Sequence, residues 1–245
     1  MDKNPDLIRY NIFKPFANIC AFTTTKNTLP IERVRYSNMP ENKAKLAEAL
    51  ALEVRQMVYP DQTHSNCVAE VREVPDAVIS ETDALVTNQA RLCLCVQTAD
   101  CVPMLLFDPK AKVIAAIHAG WRGTVGGIVE KAISKMTNYG ASAKNIVAAI
   151  GPSISPEIYE VGDEVVAAAQ KSIPNVEATL HKNGSGKFHF NLWEANRQLL
   201  LKNGVPAQNI EVLGACSFSD NEKYYSARRD GIDTGRMVSG IMLKG

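Results

Sequence analysis

The sequence predicts an α+β fold built on mixed sheets, and three observations carry that prediction. Short apolar runs outnumber stretches of helical period. Many of these runs are joined by brief polar turns, without the regular helical crossovers of a doubly wound sheet. Neither Gly-x-Gly-x-x-Gly nor a P-loop is present. With 245 residues, 46% hydrophobic and 22% charged, the chain can bury a full core as one domain over 1–245.

In chain order, residues 7–13 and 18–23 read as an opening pair of strands around Lys14-Pro15. Residues 24–40 lack a clear period and read as a loop. Over 42–52, Ala44, Leu46, Ala47, Leu50 and Ala51 recur at helical spacing. A short strand at 54–58 leads into the polar turn Pro60-Asp61-Gln62-Thr63-His64-Ser65-Asn66, and further strands read at 67–71, 77–79, 84–86 and 92–96. The stretch 96–123, VQTADCVPMLLFDPKAKVIAAIHAGWRG, is two buried strands joined at Asp108-Pro109. In an antiparallel hairpin the head of one strand lies beside the tail of the next, which makes neighbours of Cys101 and His118. Residues 124–139 form the clearest helix, with Val125, Ile128, Val129, Ala132, Ile133 and Met136 on one stripe and Gly140 as its stop. A strand at 146–150, a helix at 162–170 and a glycine-rich loop at 181–186 follow. Asn191 and Glu194 resemble a capping box opening a helix over Leu192–Lys202. Strands at 210–214 and 236–243 close the chain.

A net charge of +1 gives no reason to expect nucleic acid or an acidic membrane surface. No N-terminal stretch looks like a signal peptide, and no run approaches the roughly 20 apolar residues of a membrane helix, so a cytoplasmic protein is the expectation. The six cysteines, Cys20, Cys67, Cys93, Cys95, Cys101 and Cys216, are scattered and include no Cys-x-x-Cys, which excludes a disulfide framework and a zinc ribbon.

There are only four histidines. His181 falls in the glycine-rich loop, and His189 alternates with Phe188 and Phe190, which favours a structural place. His64 and His118 lie with Cys101 at strand–loop junctions, so the three point to one shared site. Two imidazoles and a thiolate suit Zn²⁺, and three protein ligands leave the fourth position open, as in catalytic zinc sites. Such a metal supplies a water activated at neutral pH. Without metal, Cys101 and His118 read instead as a nucleophile and its base, a hydrolase of peptide or cell-wall precursor bonds. That reading leaves His64 unexplained. Asp100 either orients an imidazole or carries a proton, or it simply caps a turn. In His118-Ala119-Gly120-Trp121-Arg122-Gly123, the glycines allow close backbone approach, and Arg122 beside a helix start is a candidate anion site for phosphate. Trp121 stacks on a flat base or plugs the core. Arg228-Arg229-Asp230 and Thr234-Gly235-Arg236 form a second basic loop, either a solvated turn or an addition to the anion pocket.

At these residues the chain resembles the YfiH/YlmD-type laccase-domain family, the "multicopper polyphenol oxidases" now regarded as purine nucleoside phosphorylases. The matching stretches are Gln62-Thr63-His64, Thr82-Asp83-Ala84-Leu85-Val86-Thr87, Thr98-Ala99-Asp100-Cys101-Val102-Pro103 and His118-Ala119-Gly120-Trp121-Arg122-Gly123. They continue with Ile150-Gly151-Pro152, Tyr159-Glu160-Val161-Gly162, and Tyr225-Ser226-Ala227-Arg228-Arg229-Asp230-Gly231 with Thr234-Gly235-Arg236. The resemblance implies an α/β/β/α layered arrangement of the CNF1/YfiH kind. It implies a zinc held by His64, Cys101 and His118. Our own reading of the residues adds Asp100 and Arg122 as catalytic, and Gln62, Trp121, Arg122 and Arg229 against substrate, with phosphate at the helix start near Arg122. The implied activity is phosphorolysis of adenosine, inosine, guanosine and methylthioadenosine, with adenosine deamination beside it. The expected assembly is a monomer or small homo-oligomer. Ser65, Ile158 and Ala227 depart from the residues many members carry, and none of them is a proposed ligand. A true multicopper oxidase needs a blue-copper site and a histidine-rich cluster, which four histidines cannot build. Copper at the zinc site could still give weak oxidation in vitro, given its higher affinity.

Overall fold

The computed structural model describes residues 6–28 and 40–245. Two large mixed sheets pack face to face, with helices on the outer face of each. The strands of the first sheet are β1 (Leu7–Ile8), β2 (Ile19–Thr24), β14 (Met237–Leu243), β6 (Cys93–Thr98) and β3 (Met57–Val58), in that spatial order. The second runs β13 (Ile210–Val212), β9 (Val147–Ile150), β7 (Val102–Asp108), β8 (Val113–Ala119), β5 (Ala84–Thr87) and β4 (Val68–Glu70). Its pairs are antiparallel except β13 with β9 and β4 with β5.

Strand alternation explains the layers. Along β7 and β8, Met104, Leu106, Ala115 and Ile117 face the helices, while Leu105, Phe107, Ile114 and Ala116 face the first sheet. The inter-sheet core joins these to Leu94, Val96, Ile241 and Leu243. Helices α3 (Ile128–Asn138), α4 (Asp163–Ser172) and α5 (Leu192–Lys202) cover the second sheet's outer face. Helix α1 (Pro40–Ala49) covers the first through Leu46 and Ala47 against Phe22, Cys93 and Cys95. The order is therefore α/β/β/α.

Several elements differ from the sequence reading, each for a local reason. Residues 11–13 form a 3-10 turn, closed by Phe13 and Lys14 N–H bonds and fixed by edge-to-face packing of Tyr10 on Phe13, just before Pro15 halts the ladder. Residues 54–56 are also a 3-10 turn, locked by the reciprocal Glu53–Gln56 capping box. The strand expected at 77–79 reduces to one bridge, Ile79 with Pro60. The helix expected at 124–139 is two: α2 (Trp121–Val125) and α3, split at Gly126-Gly127, where Gly127 adopts φ +79°. His181 and His189 pair directly across a small third sheet of β10 (Glu160–Val161), β12 (Phe188–Phe190) and β11 (Leu180–Lys182). Asn191 does cap α5, accepting from the Glu194 N–H, but the Glu194 carboxylate turns to Arg197 and Gln198. The loop expected over 24–40 lies largely outside the described residues.

Candidate metal centre and its cavity

The hairpin and sheet register assemble the site. Val102 pairs with Ala119 and Pro103 with His118, so Cys101, one step before β7, meets the tail of β8. His118 shares strand parity with Ile114 and Ala116, which places it on the inter-sheet face. The turn 60–66 brings His64 to the same point. The Nδ1 or Nε2 atoms of His64 and His118 and the Sγ of Cys101 all lie within 4.8 Å of one another. The two imidazoles meet edge to face, centroids 5.0 Å apart. Gly120 makes the closeness possible, because a Cβ there would sit 3.0 Å from Cys101 Sγ and 3.1 Å from His64 Cδ2.

The organising residue, unmarked by the reading of individual side chains, is Asp83. Ala84 pairs with Ile117 across β5 and β8, so Asp83 comes opposite His118 on the same face. Its fully buried carboxylate accepts from the N–H groups of Thr63 (3.2 Å), His64 (3.1 Å) and Ser65 (2.7 Å). It also accepts from Ser65 Oγ at 2.7 Å and pairs with His118 Nδ1 at 2.7 Å. Three successive N–H groups on one carboxylate hold His64 at φ +61°, a conformation a non-glycine residue rarely takes. The His118 pair turns its other ring nitrogen, Nε2, away from Asp83 as the one left to serve as a ligand. A carboxylate directly ahead of a fully buried strand is the local trace of this role.

Charge is strongly coupled here. Burial resists charge on both Cys101 and His118, yet each offsets that cost for the other. The thiol is lowered to about 6 by His118 and His64, and the imidazole is raised to about 9 by Cys101 and Asp83. Asp83 falls to about 2: burial opposes its charge, but His118 and the Ser65 donors outweigh it. A thiolate and two imidazoles with one open position fit a zinc-type ion, and the Asp83 contact completes a carboxylate–histidine arrangement beneath it.

The three side chains open into a cavity of about 340 Å³ that Gln62, Gln97, Asp100, Tyr159, Arg228 and Arg236 also line. Its size lies at the low end of the about 300–1,000 Å³ usual for small-molecule sites. Gln62 lies on the wall, its amide paired reciprocally with the backbone of Gln97 at 2.7 and 2.8 Å. Asp100 lies on it at φ +90°, with Oδ1 accepting from Ser217 Oγ and Oδ2 from the Arg228 N–H, each at 2.6 Å. The carboxylate that orients an imidazole is therefore Asp83, and Asp100 ties α6 (Ala227–Asp230) to the residue beside Cys101. Trp121 and Arg122 stack on each other, 4.4 Å from guanidinium carbon to ring centroid, and neither lines the cavity; Trp121 packs on the helix-side core. Arg229 is turned away. Its guanidinium donates to the carbonyls of Ser217, Phe218 and Tyr224 and to the Asp230 carboxylate. Its neighbour Arg228 faces the cavity instead, above the Tyr159 ring. Burial and the nearby Cys101 push the Tyr159 phenol well above its ordinary range.

Comparison with known proteins converges on one family. The model of the multi-copper polyphenol oxidoreductase laccase family matches residues 35–244. A purine nucleoside phosphorylase of Bacteroides thetaiotaomicron is 37% identical over 268 residues, covering 98% of this chain and 97% of that protein. Adenosine deaminase RL5, from an unknown prokaryotic organism, is 42% identical over 208 residues, covering 81% of this chain and 79% of that protein. Among solved structures, YlmD of Geobacillus stearothermophilus superposes with a TM-score of 0.87 at 30% identity, over 95% of this chain and 94% of that one. Bacillus licheniformis YfiH gives 0.86 at 30% identity, over 96% and 100%. No described helix is long and apolar enough to cross a membrane. The chain, sharing this fold over 95–96% of its length and matched by the family model over residues 35–244, belongs to the multi-copper polyphenol oxidoreductase laccase family.

Proposed function

We propose that this chain is a zinc-dependent purine nucleoside phosphorylase that also deaminates adenosine, with inosine, guanosine and methylthioadenosine as further phosphorolysis substrates. The observation that carries the reading is the meeting of His64, Cys101 and His118 on the wall of a nucleoside-scale cavity, in a chain whose relatives carry both activity names. Zinc held by these three residues would supply Lewis acidity and the means to activate water near neutral pH. The rest falls to the chain's own groups. Asp83 fixes the His118 tautomer and the His64 turn, so that two ligands are in place before a metal arrives. Gln62, clamped to the Gln97 backbone, stiffens the cavity wall. We assign Asp100 to positioning, since both its oxygens already accept hydrogen bonds. Arg122, off the cavity wall, supplies no direct contact to a nucleoside in this reading. The test is metal analysis of purified protein paired with inosine turnover with and without phosphate. Stoichiometric zinc and phosphate-dependent base release are expected; base release that ignores phosphate, or none from zinc-loaded protein, defeats the reading.

One observation favours a second reading. The chain Cys101–His118–Asp83 is a thiolate, an imidazolium and an orienting carboxylate, the components of a metal-free cysteine hydrolase. Activity that survives zinc removal and dies in Cys101→Ala would establish it.

A further inference from the structure

Four arginines border the site, and three are otherwise engaged. Arg122 stacks on Trp121 outside the cavity. Arg229 has its guanidinium filled by three carbonyls and Asp230. Arg236 reaches the cavity, but its guanidinium is folded onto the carbonyls of Ile232, Thr234 and Gly235 in its own loop. Arg228 differs. It lines the cavity with Cys101, His64 and His118, and its guanidinium makes two long hydrogen bonds, 3.3 and 3.4 Å, to a single carbonyl, Glu160 O. Its guanidinium carbon stands over the Tyr159 ring, 5.3 Å from the centroid, a cation–π contact that restrains the side chain. Its backbone is fixed too, through the 2.6 Å bond from its N–H to Asp100, the residue preceding Cys101.

A guanidinium on the cavity wall, anchored at its backbone and held to the protein by only two long bonds to one carbonyl, keeps N–H donors for a tetrahedral oxyanion, which such a group can meet with two parallel N–H bonds. We infer that Arg228 is the residue that binds the inorganic phosphate co-substrate, in place of Arg122 or Arg229. The assignment rests on the phosphorylase reading for its catalytic meaning, and on geometry alone for binding. Phosphate at Arg228 shares one cavity with the nucleoside and with the three candidate ligands, as attack on the ribose carbon requires. Deamination consumes water, not phosphate, so the two activities separate at this residue.

The test compares wild type with Arg228→Gln and Arg228→Lys in the full, zinc-loaded chain. KM for phosphate in inosine phosphorolysis is expected to rise at least tenfold in Arg228→Gln, with partial recovery in Arg228→Lys, which keeps the charge but loses the fork. The ratio of phosphorolysis to adenosine deamination should fall by a similar factor. Calorimetric titration with inorganic phosphate should show binding to wild type that Arg228→Gln lacks. Equal loss of both activities, an unchanged phosphate KM, or undiminished phosphate binding in Arg228→Gln overturns the assignment. If wild type binds phosphate through Arg228 yet releases no base, the phosphorylase reading fails while the binding site stands.

Discussion

Asp83 makes more connections within the site than any of the three candidate ligands. One carboxylate gathers three successive backbone N–H groups, a serine hydroxyl and the His118 ring. Replacing it with asparagine keeps the shape but removes the charge and inverts part of the donor pattern. Asp83→Asn is therefore expected to weaken zinc binding by about 10–100-fold, the usual cost of losing an outer-shell carboxylate. Competition against a chromophoric chelator reads this directly, and a change under threefold would show that His118 is oriented by something else. Gly120 gives a sharper case. Its backbone is extended at φ −70°, so alanine introduces no strain there, but the new methyl falls on Cys101 Sγ and His64 Cδ2. Gly120→Ala should fold, keep a thermal midpoint within about 4 °C of wild type, the shift that about 1 kcal/mol gives in a chain of this size, and bind zinc poorly. Tight zinc binding by that variant would mean that the ligands can rearrange freely. His64, Cys101 and His118 were legible in sequence because they are rare residue types at strand–loop junctions. Asp83 was not: its role depends on the β5–β8 register, a non-local pairing that no spacing reveals.

Elements were legible where a local signal set their ends. The β7–β8 hairpin has its Asp108-Pro109 turn, and the Asp108 carboxylate caps that turn by accepting from Lys110 and Ala111. Helix α5 has its Asn191 cap. The three-stranded sheet was not legible, because strands of two or three residues carry no period to read. The first sheet holds a chain of hydroxyls that joins elements distant in sequence: Tyr10 Oη to Thr23 Oγ1 at 2.6 Å, and on to Ser239 Oγ at 2.7 Å. Burial raises the Tyr10 phenol far above its ordinary value, and the two hydroxyl bonds offset only part of that. A folded pKa above the unfolded one means that this stability is complete below the unfolded value of about 10 and is lost as pH rises beyond it. Tyr10→Phe should cost about 1 kcal/mol near neutral pH for the lost hydrogen bond. It should also flatten, without abolishing, the decline in denaturation midpoint above about pH 10. Tyr224, raised to about 12, supplies a remaining slope in both proteins. Identical alkaline slopes would remove Tyr10 as a contributor.

At the scale of the whole molecule, the candidate metal centre lies at one end of the interface between the two sheets, with Gln97 from one and His118 from the other on the cavity wall. The question is whether inter-sheet packing or the local Asp83 network sets the ligand geometry. Phe107 separates the two. It is fully buried on the inter-sheet face of β7, edge to face with Phe16 at 5.4 Å, at the opposite end of the strand from Cys101. Phe107→Ala should cost about 3–5 kcal/mol through lost contact and a residual cavity. His64 and His118, tied to each other through Asp83, should stay in place beside Cys101. Zinc at about 100 times its dissociation constant adds about 2.7 kcal/mol to any fold that holds the site intact. That increment is expected to be the same in wild type and Phe107→Ala and to vanish in Cys101→Ala, measured as the shift in denaturation midpoint on adding zinc. If the increment collapses in Phe107→Ala as well, the packed sheets, and not Asp83, hold the ligands in register, and the site could not be transplanted without its whole core.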